Sequence, residues 1–374
     1  MSTRVIKVAG DEDEKVSVAA EEAARALRKG LLVGFATETV YGVAAVATIA
    51  ETMDRLRELK SRPARPFSVH LGRPADAGRY VRHMPDAAER LIHKAWPGPV
   101  TLLVPTGGHL ADPKLRRRAG LYERLCFEDT VGLRCPDERV ACEMLRRVWL
   151  PVVAPSANRA GEPSPRTAEQ VLDSLDGQID LLIDSGPTRL GLDSTIVRCD
   201  ADGWSVVREG VFRAAAVERM LKRKVLFVCT GNTCRSPMAA GLARNLVAER
   251  LGCRPAELAG KGVEVLSAGV FAGDGLPATD EAVAAAAERG ADIAAHRSRK
   301  LTRQLIADAD MVFCMTDSHV AETVRLAPEL SANVRKLEAR GDLPDPIGGG
   351  PAVYRTVAER IERALRAVFE KGLP

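Results

Sequence analysis

VLFVCTGNTCRSPMA, residues 225–239, combines an apolar strand from Val225 to Val228, a loop opened by Cys229, and a helix beginning near Pro237. Strand, loop and helix N-terminus together make an anion cradle, because backbone N–H groups converge on one point and the helix dipole favours negative charge there. A cysteine at the start of such a loop is a nucleophile candidate. Cysteines in this setting titrate anywhere from about 3.5 to 7.5, so the loop predicts that Cys229 is largely ionised at neutral pH. Arg235, six positions on, can grip two phosphate oxygens with its planar fork. Asn232 tolerates the left-handed backbone of a tight loop, and Ser236 can donate its hydroxyl to a thiolate. The remaining loop positions are Thr230, Gly231, Thr233 and Cys234. No Gly-Lys-Ser/Thr ending is present, so this is not a nucleotide-binding Walker loop.

A phosphocysteine intermediate needs an acid for the leaving group and later a base for water, and one carboxyl can do both. Asp345, in LPDPIGGG (residues 343–350), is the candidate, with Pro346 stiffening the chain and the glycines letting it fold over the cradle. Cys234 lies five residues beyond Cys229, which suits either a reversible disulfide or a packed thiol. Together with SAGVFA at 267–272, these segments resemble the low-molecular-weight protein tyrosine phosphatase family over about residues 223–372. The resemblance implies a small doubly wound parallel sheet with the phosphate loop after its first strand, Cys229 as nucleophile, Arg235 as transition-state clamp and Asp345 as acid. Thr233 resembles the protein-arginine phosphatase branch, and Ile347 stands where tyrosine-directed members often carry aromatics. Phosphoarginine and phosphotyrosine both stay open as substrates on phosphoproteins. Arsenate reduction is the weaker enzymatic alternative, since MTDSHVA after Cys314 offers no further thiol, and a phosphate sensor is the non-catalytic one.

Working toward the N-terminus, RAAAVERMLKR (213–223) reads as a linker helix, so the chain divides into residues 1–212 and 224–374. The first part shows alternating α/β grammar. A helix is expected over Val16 to Lys29, a strand over Leu31 to Phe35, and a second helix through Met53 to Lys60. Short strands are expected at Phe67–Leu71, Val100–Val104, Val152–Ala154, Leu181–Ile183 and Thr195–Val197. ATETVYG (36–42) offers the hydroxyls of Thr37 and Thr39. KSRPARP (60–66) sets Lys60, Arg62 and Arg65 beside prolines that keep the segment extended, which suits a polyphosphate. APSANRAGEPSP (154–165) presents Ser156, Asn158 and Ser164, while DSTIV (193–197) and VVREGVF (206–212) add Ser194 and Arg208.

With WPGPVTLLV (96–104) and TVGLR (130–134), these segments resemble the threonylcarbamoyl-AMP synthase (YrdC-like) family over about residues 14–212. The resemblance implies a twisted open α/β sheet with a concave basic face. It also implies condensation of L-threonine, bicarbonate and ATP, with Mg²⁺ as helper ion, to give the intermediate that tRNA-modification machinery uses. By that likeness Thr39, His70, Arg134, Ala154 and Ser194 hold threonine. Lys60, Arg62, Arg65, Thr130, Ser156, Asn158, Ser164 and Arg208 surround ATP. An RNA-binding module is the competing reading, since a concave basic surface also suits duplex RNA.

Composition bounds these readings. The 374 residues are 46% hydrophobic and 28% charged, the balance of a globular chain rather than a disordered one. Aromatics are 4%, too few for a base-stacking platform, and a net charge of +4 is too small for a general nucleic-acid binder. No apolar run is long enough for a membrane span, and the eight cysteines form no CxxC pair. A cytoplasmic enzyme with reduced thiols and no structural metal is the expectation.

Overall fold

The computed structural model describes residues 2–8, 12–61 and 65–370, so Arg62 lies outside the described residues. Two compact units divide the chain, Met1–Met220 and Leu221–Pro374. The expected linker is a helix, Ala214–Leu221, whose Val217 is fully buried, and the next strand starts at Arg223. Most of the segment therefore belongs to the first unit.

In the first unit the strands are β1 (Arg4–Lys7), β2 (Val33–Phe35), β3 (Gly42–Val46), β4 (Val69–His70), β5 (Val100–Pro105), β6 (Cys126–Phe127), β7 (Thr130–Arg134), β8 (Val152–Val153), β9 (Leu181–Asp184), β10 (Thr195–Asp200) and β11 (Gly203–Arg208). They form one mixed sheet in the order β1-β9-β2-β3-β8-β4-β7-β5-β10-β11, with β6 on β7. Parallel pairs such as β4/β7 and β5/β10 alternate with antiparallel ones such as β4/β8 and β5/β7. Helices Asp13–Arg28 and Arg139–Val148 pack their small apolar faces (Ala20, Ala24, Leu27; Ala141, Met144) into one core with Val33, Phe35 and Val46. The expected strands at 31–35, 67–71 and 152–154 shrink to three, two and two paired residues. Of the remaining residues of these runs, Phe67, Ser68 and Ala154 line the cavity described below.

The second unit holds β12 (Arg223–Cys229), β13 (Val263–Gly269), β14 (Met311–Cys314) and β15 (Val334–Lys336), all parallel, in the order β13-β12-β14-β15. Successive residues of β12 point to opposite faces. Val225, Phe227 and Cys229 enter the core made with helices Arg235–Leu251 and Pro351–Phe369, whereas Leu226 and Val228 enter a second core with Leu301 and Ile306. Both faces are covered, as a doubly wound sheet requires. The order reverses at β12, between β13 and β14, and open α/β sheets bind ligands beyond the carboxyl end of that strand. Cys229 is the last residue of β12. The helix after it starts at Arg235, two residues before Pro237.

Candidate active sites

In the second unit, residues 229–235 wrap around the sulfur of Cys229. The hydroxyl of Ser236 lies 2.9 Å from Sγ, and the backbone N–H of Asn232 donates to it at 3.3 Å. Asn232 has φ 55°, the left-handed conformation expected for it. Its Nδ2 donates to Ser236 Oγ and Ser267 Oγ, both at 2.9 Å, and its Oδ1 accepts from the Arg299 N–H at 2.9 Å. The end of β13 lies so near the loop that only a glycine fits. A Cβ on Gly269 would stand 2.4 Å from the Thr230 carbonyl oxygen.

Arg235 is buried, and its Nη1 donates to the Leu343 carbonyl at 3.3 Å. Its Nη2 donates to Thr230 Oγ1 at 3.1 Å and to the carboxylate of Asp345. Asp345 is itself turned back by an N–H from Ile347. His319, which sequence reasoning missed, bridges the hydroxyls of Thr316 and Thr230 at 2.8 and 2.9 Å. Burial, seconded by the charge of Arg235, pushes His319 down to about 4, so the ring is neutral at pH 7. Cys229, Arg235 and Asp345 thus converge on one loop.

Two expectations need correction or narrowing. Burial pushes the Cys229 thiol up, against the downward pull of the Ser236 hydroxyl, the Ser236 and Asn232 N–H groups and Arg235. Desolvation thus works against the ionisation that the sequence implied and outweighs the groups that favour the thiolate. Cys234 is a packed thiol, with Tyr354 Oη at 3.4 Å and Thr279 Oγ1 at 3.6 Å, and all eight cysteines are free. Removing a group that favours the thiolate must raise its titration further. Ser236→Ala is therefore expected to move the midpoint of Cys229 alkylation by iodoacetamide to higher pH, read by peptide mass spectrometry across a pH series.

In the first unit a cavity of about 510 Å³ opens on the sheet. Lys60, Arg65, His70, Thr130, Arg134, Ala154, Ser156, Ser194 and Arg208 line it. Asn158 and Ser164 line an adjoining hollow of about 640 Å³ that shares Val40 and Asp193 with the first. Thr39 reaches the site through Arg134, whose Nη2 donates to its hydroxyl at 2.6 Å.

Arg134 is anchored by Glu38, a carboxylate that sequence reasoning passed over between Thr37 and Thr39. Glu38 is 2% exposed, accepts from Arg134 Nη2 at 3.0 Å and takes the Asp137 N–H on its other oxygen. The buried Nε of Arg134 has no partner among the described residues. His70 is pushed down to about 3, first by burial and then by Arg134, so it is neutral. Its Nδ1 faces the Ser68 carbonyl at 3.3 Å, which leaves Nε2 as an acceptor.

Lys60 holds the loop that follows β8 in place. Its Nζ donates to the carbonyls of Ser156 and Asn158 at 3.0 and 2.6 Å and to Asn158 Oδ1 at 2.9 Å. Ser164 donates to Asp193 at 2.9 Å, and Arg208 donates to the Ser194 carbonyl at 2.8 Å. Arg65 sits 5.8 Å from the Phe127 ring centroid. The Ser194 turn depends on Gly210, where a Cβ would lie 2.2 Å from the Asp193 carbonyl oxygen. Gly210→Ala is expected to cost about 1–3 kcal/mol by overpacking and to displace Ser194 and Arg208. Denaturant unfolding and ATP-binding titrations on the same preparation would check both effects.

Comparison with known proteins follows the same division. Residues 25–210 match the Sua5/YciO/YrdC family model, described as telomere recombination. Residues 224–372 match the model described as low molecular weight phosphotyrosine protein phosphatase. The first part is 35% identical over 201 residues to a threonylcarbamoyl-AMP synthase of Bacillus subtilis, covering 54% of this chain and 56% of that protein. The chain thus spans about half the length of that relative. It is 33% identical over 197 residues to a putative threonylcarbamoyl-AMP synthase of Mycobacterium tuberculosis H37Rv, covering 52% of this chain and 86% of the relative. The second part is 40% identical over 153 residues to a protein-arginine-phosphatase of Geobacillus stearothermophilus, covering 40% of this chain and 95% of that protein.

Proposed function

The chain belongs along its first part to the Sua5/YciO/YrdC family and along its second to the low-molecular-weight phosphotyrosine protein phosphatase family, and from that premise we propose that it is a bifunctional enzyme. Its first unit makes threonylcarbamoyl-AMP from L-threonine, bicarbonate and ATP, for machinery that modifies tRNA. Its second hydrolyses phosphoarginine or phosphotyrosine on proteins. Substrates of the cell interior and eight free thiols suit a cytoplasmic setting.

In the synthase cavity the carboxylate of L-threonine would meet Arg134, whose Nε is unpartnered, and its ammonium would donate to the bare Nε2 of His70. The threonine nitrogen, once its ammonium proton has gone to solvent, would bond to the carbon of bicarbonate with loss of water, giving a carbamate whose oxygen then attacks the α-phosphorus of ATP. A new P–O bond forms, the α–β bridging P–O bond breaks, and pyrophosphate leaves. Anions are brought together in that step, so Arg65, Arg208 and, in the segment outside the described residues, Arg62 would offset their repulsion. Lys60 would act by fixing the Ser156–Asn158 loop. Mg²⁺ would arrive on the ATP phosphates. It typically keeps several waters and takes one or two carboxylates besides phosphate oxygens, and Glu128 and Asp193 stand on the cavity wall.

In the phosphatase site the convergence of Cys229, Arg235 and Asp345 on one loop carries the reading. The Cys229 thiol passes its proton to a phosphate oxygen of the substrate, the sulfur attacks phosphorus, an S–P bond forms, and the P–N or P–O bond to the leaving group breaks while Asp345 supplies its proton. Asp345 then takes a proton from water, which attacks the phosphocysteine and frees phosphate. Arg235 follows the equatorial oxygens through both steps. Thr233, on the phosphate loop, is the specificity residue; Phe271, whose N–H donates to the Thr230 carbonyl, and Ile347, two residues after Asp345, are exposed. Thr233→Ile is expected to shift the ratio of phosphoarginine to phosphotyrosine turnover by about tenfold toward phosphotyrosine. Parallel kcat/KM measurements on both substrates would check this, and an unchanged ratio would remove Thr233 from the account.

A further inference from the structure

We propose that a second oxyanion site lies beside the phosphate loop, in a hollow of about 430 Å³ between the helix Arg235–Leu251 and residues 292–299, and that it takes inorganic phosphate or a small phosphate monoester. None of the residues lining it holds the nucleophile, the clamp or the acid. Arg244, Arg297 and Arg299 gather there with His296, facing the single carboxylate of Asp292. Asp292 is engaged with the Ala294 N–H at 2.9 Å, and among the described residues no ion pair reaches any of the three arginines. Arg244 donates to the Val265 carbonyl at 3.1 Å and Arg297 to the His296 carbonyl at 2.7 Å. The guanidinium of Arg299 has no hydrogen-bond partner among the described residues.

Like charges gathered without counterions repel one another, and an anion among them relieves that repulsion. The mutual effect is felt inside the cluster: Arg244 is lowered by burial and by Arg299, and His296 by burial and then by all three arginines, against its bond to Asn232. Guanidinium forks match phosphate oxygens in geometry as well as charge. The hollow falls within the size of small-molecule sites, about 300–1,000 Å³, and Pro237, Ala240 and Ile293 give it an apolar wall for an organic group.

The hollow is wired to the loop. His296 Nε2 meets the Asn232 carbonyl at 2.7 Å and the Arg299 N–H meets Asn232 Oδ1. Asn232 in turn donates its own N–H to Cys229. An anion that repositions residues 296–299 therefore bears on the nucleophile, a consequence that rests on the phosphatase reading, whereas the binding itself does not.

The test is equilibrium dialysis of the full chain against ³²P-labelled inorganic phosphate, comparing the unaltered protein with Arg244→Gln and with the exposed Arg297→Glu. Each variant is expected to bind one phosphate fewer per chain, or to bind it at least tenfold more weakly. The Ki of phosphate as a competitive inhibitor of p-nitrophenyl phosphate hydrolysis moves far less than the dialysis constant, since both variants keep Cys229, Arg235 and Asp345. Identical isotherms would overturn the proposal, as would a lost phosphate that tracks the Ki, because the anion would then be the one in the catalytic loop. Arg297→Glu alters a surface side chain and keeps the test decisive if Arg244→Gln does not fold. Absence of hydrolysis would count against the phosphatase reading only, since dialysis of an Arg235→Met protein then tells an anion in the hollow from one held in the loop.

Discussion

Cys229→Ser is expected to abolish phosphomonoester hydrolysis, lowering kcat by about 10⁴-fold or more, as loss of a nucleophile does in other covalent mechanisms. Sγ ends β12, is buried, and has Ser236 Oγ and the Asn232 N–H aimed at it. A serine hydroxyl in the same place would have to give up a far less acidic proton, with no base beside it. Asp345→Ala should behave differently. The sulfur can still attack when the leaving group needs no proton, so p-nitrophenyl phosphate would be split in a burst, followed by slow hydrolysis of a phosphocysteine. General acid–base assistance is typically worth about 10²–10⁴-fold, and that factor should fall mainly on poor leaving groups and on the second step. Rapid-quench kinetics with intact-mass detection of the phosphorylated chain would read both variants. The synthase reaction should be untouched by either change, because every residue lining its cavity lies before Met220.

Arg134→Met is expected to destabilise the first unit by about 3–5 kcal/mol, the usual cost of leaving one member of a buried ion pair uncompensated. Glu38 makes the effect large. Its carboxylate is buried, and Arg134 is its cationic partner at 3.0 Å, with side-chain exposures of 0% and 6%. For a unit of this size each kcal/mol moves the melting temperature by roughly 2–4 °C, so a fall on the order of 10 °C should appear in calorimetry. Arg134→Met combined with Glu38→Gln removes both charges and should recover much of that loss. Threonine-dependent turnover should not return with it, since the guanidinium proposed to meet the substrate carboxylate is gone. If the single variant melts with the unaltered protein, the pair is not the anchor described here.

The two sites differ in how far the sequence exposed them. The phosphate loop is local: strand, cradle, Asn232 and the helix start lie within about a dozen consecutive residues, so spacing alone placed Cys229, Arg235 and Ser236 together. Asp345 came from a distant segment but kept a distinctive neighbour, Pro346. The synthase cavity is assembled from loops far apart in sequence, and its strands β4 and β8 pair over two residues each, too short for any periodicity to mark. Glu38 was invisible because a carboxylate between two threonines carries no sign of burial, and its partner Arg134 lies 96 residues away. The Cys229 titration was misjudged for a related reason: loop dipoles can be read from a motif, whereas desolvation depends on how tightly the rest of the unit closes over it. His319 and the Arg244–Arg299 cluster likewise arise only when separate segments meet.

The account holds that one chain carries two independent sites built for phosphorus chemistry, and ³¹P NMR of the intact protein tests this in a single tube containing ATP, L-threonine, bicarbonate and phosphoarginine. It predicts that pyrophosphate accumulates only while threonine and bicarbonate are both present, and that the phosphoarginine signal gives way to inorganic phosphate unless Cys229 is replaced. Pyrophosphate release indifferent to threonine, or phosphoarginine loss that survives Cys229→Ser, would contradict it.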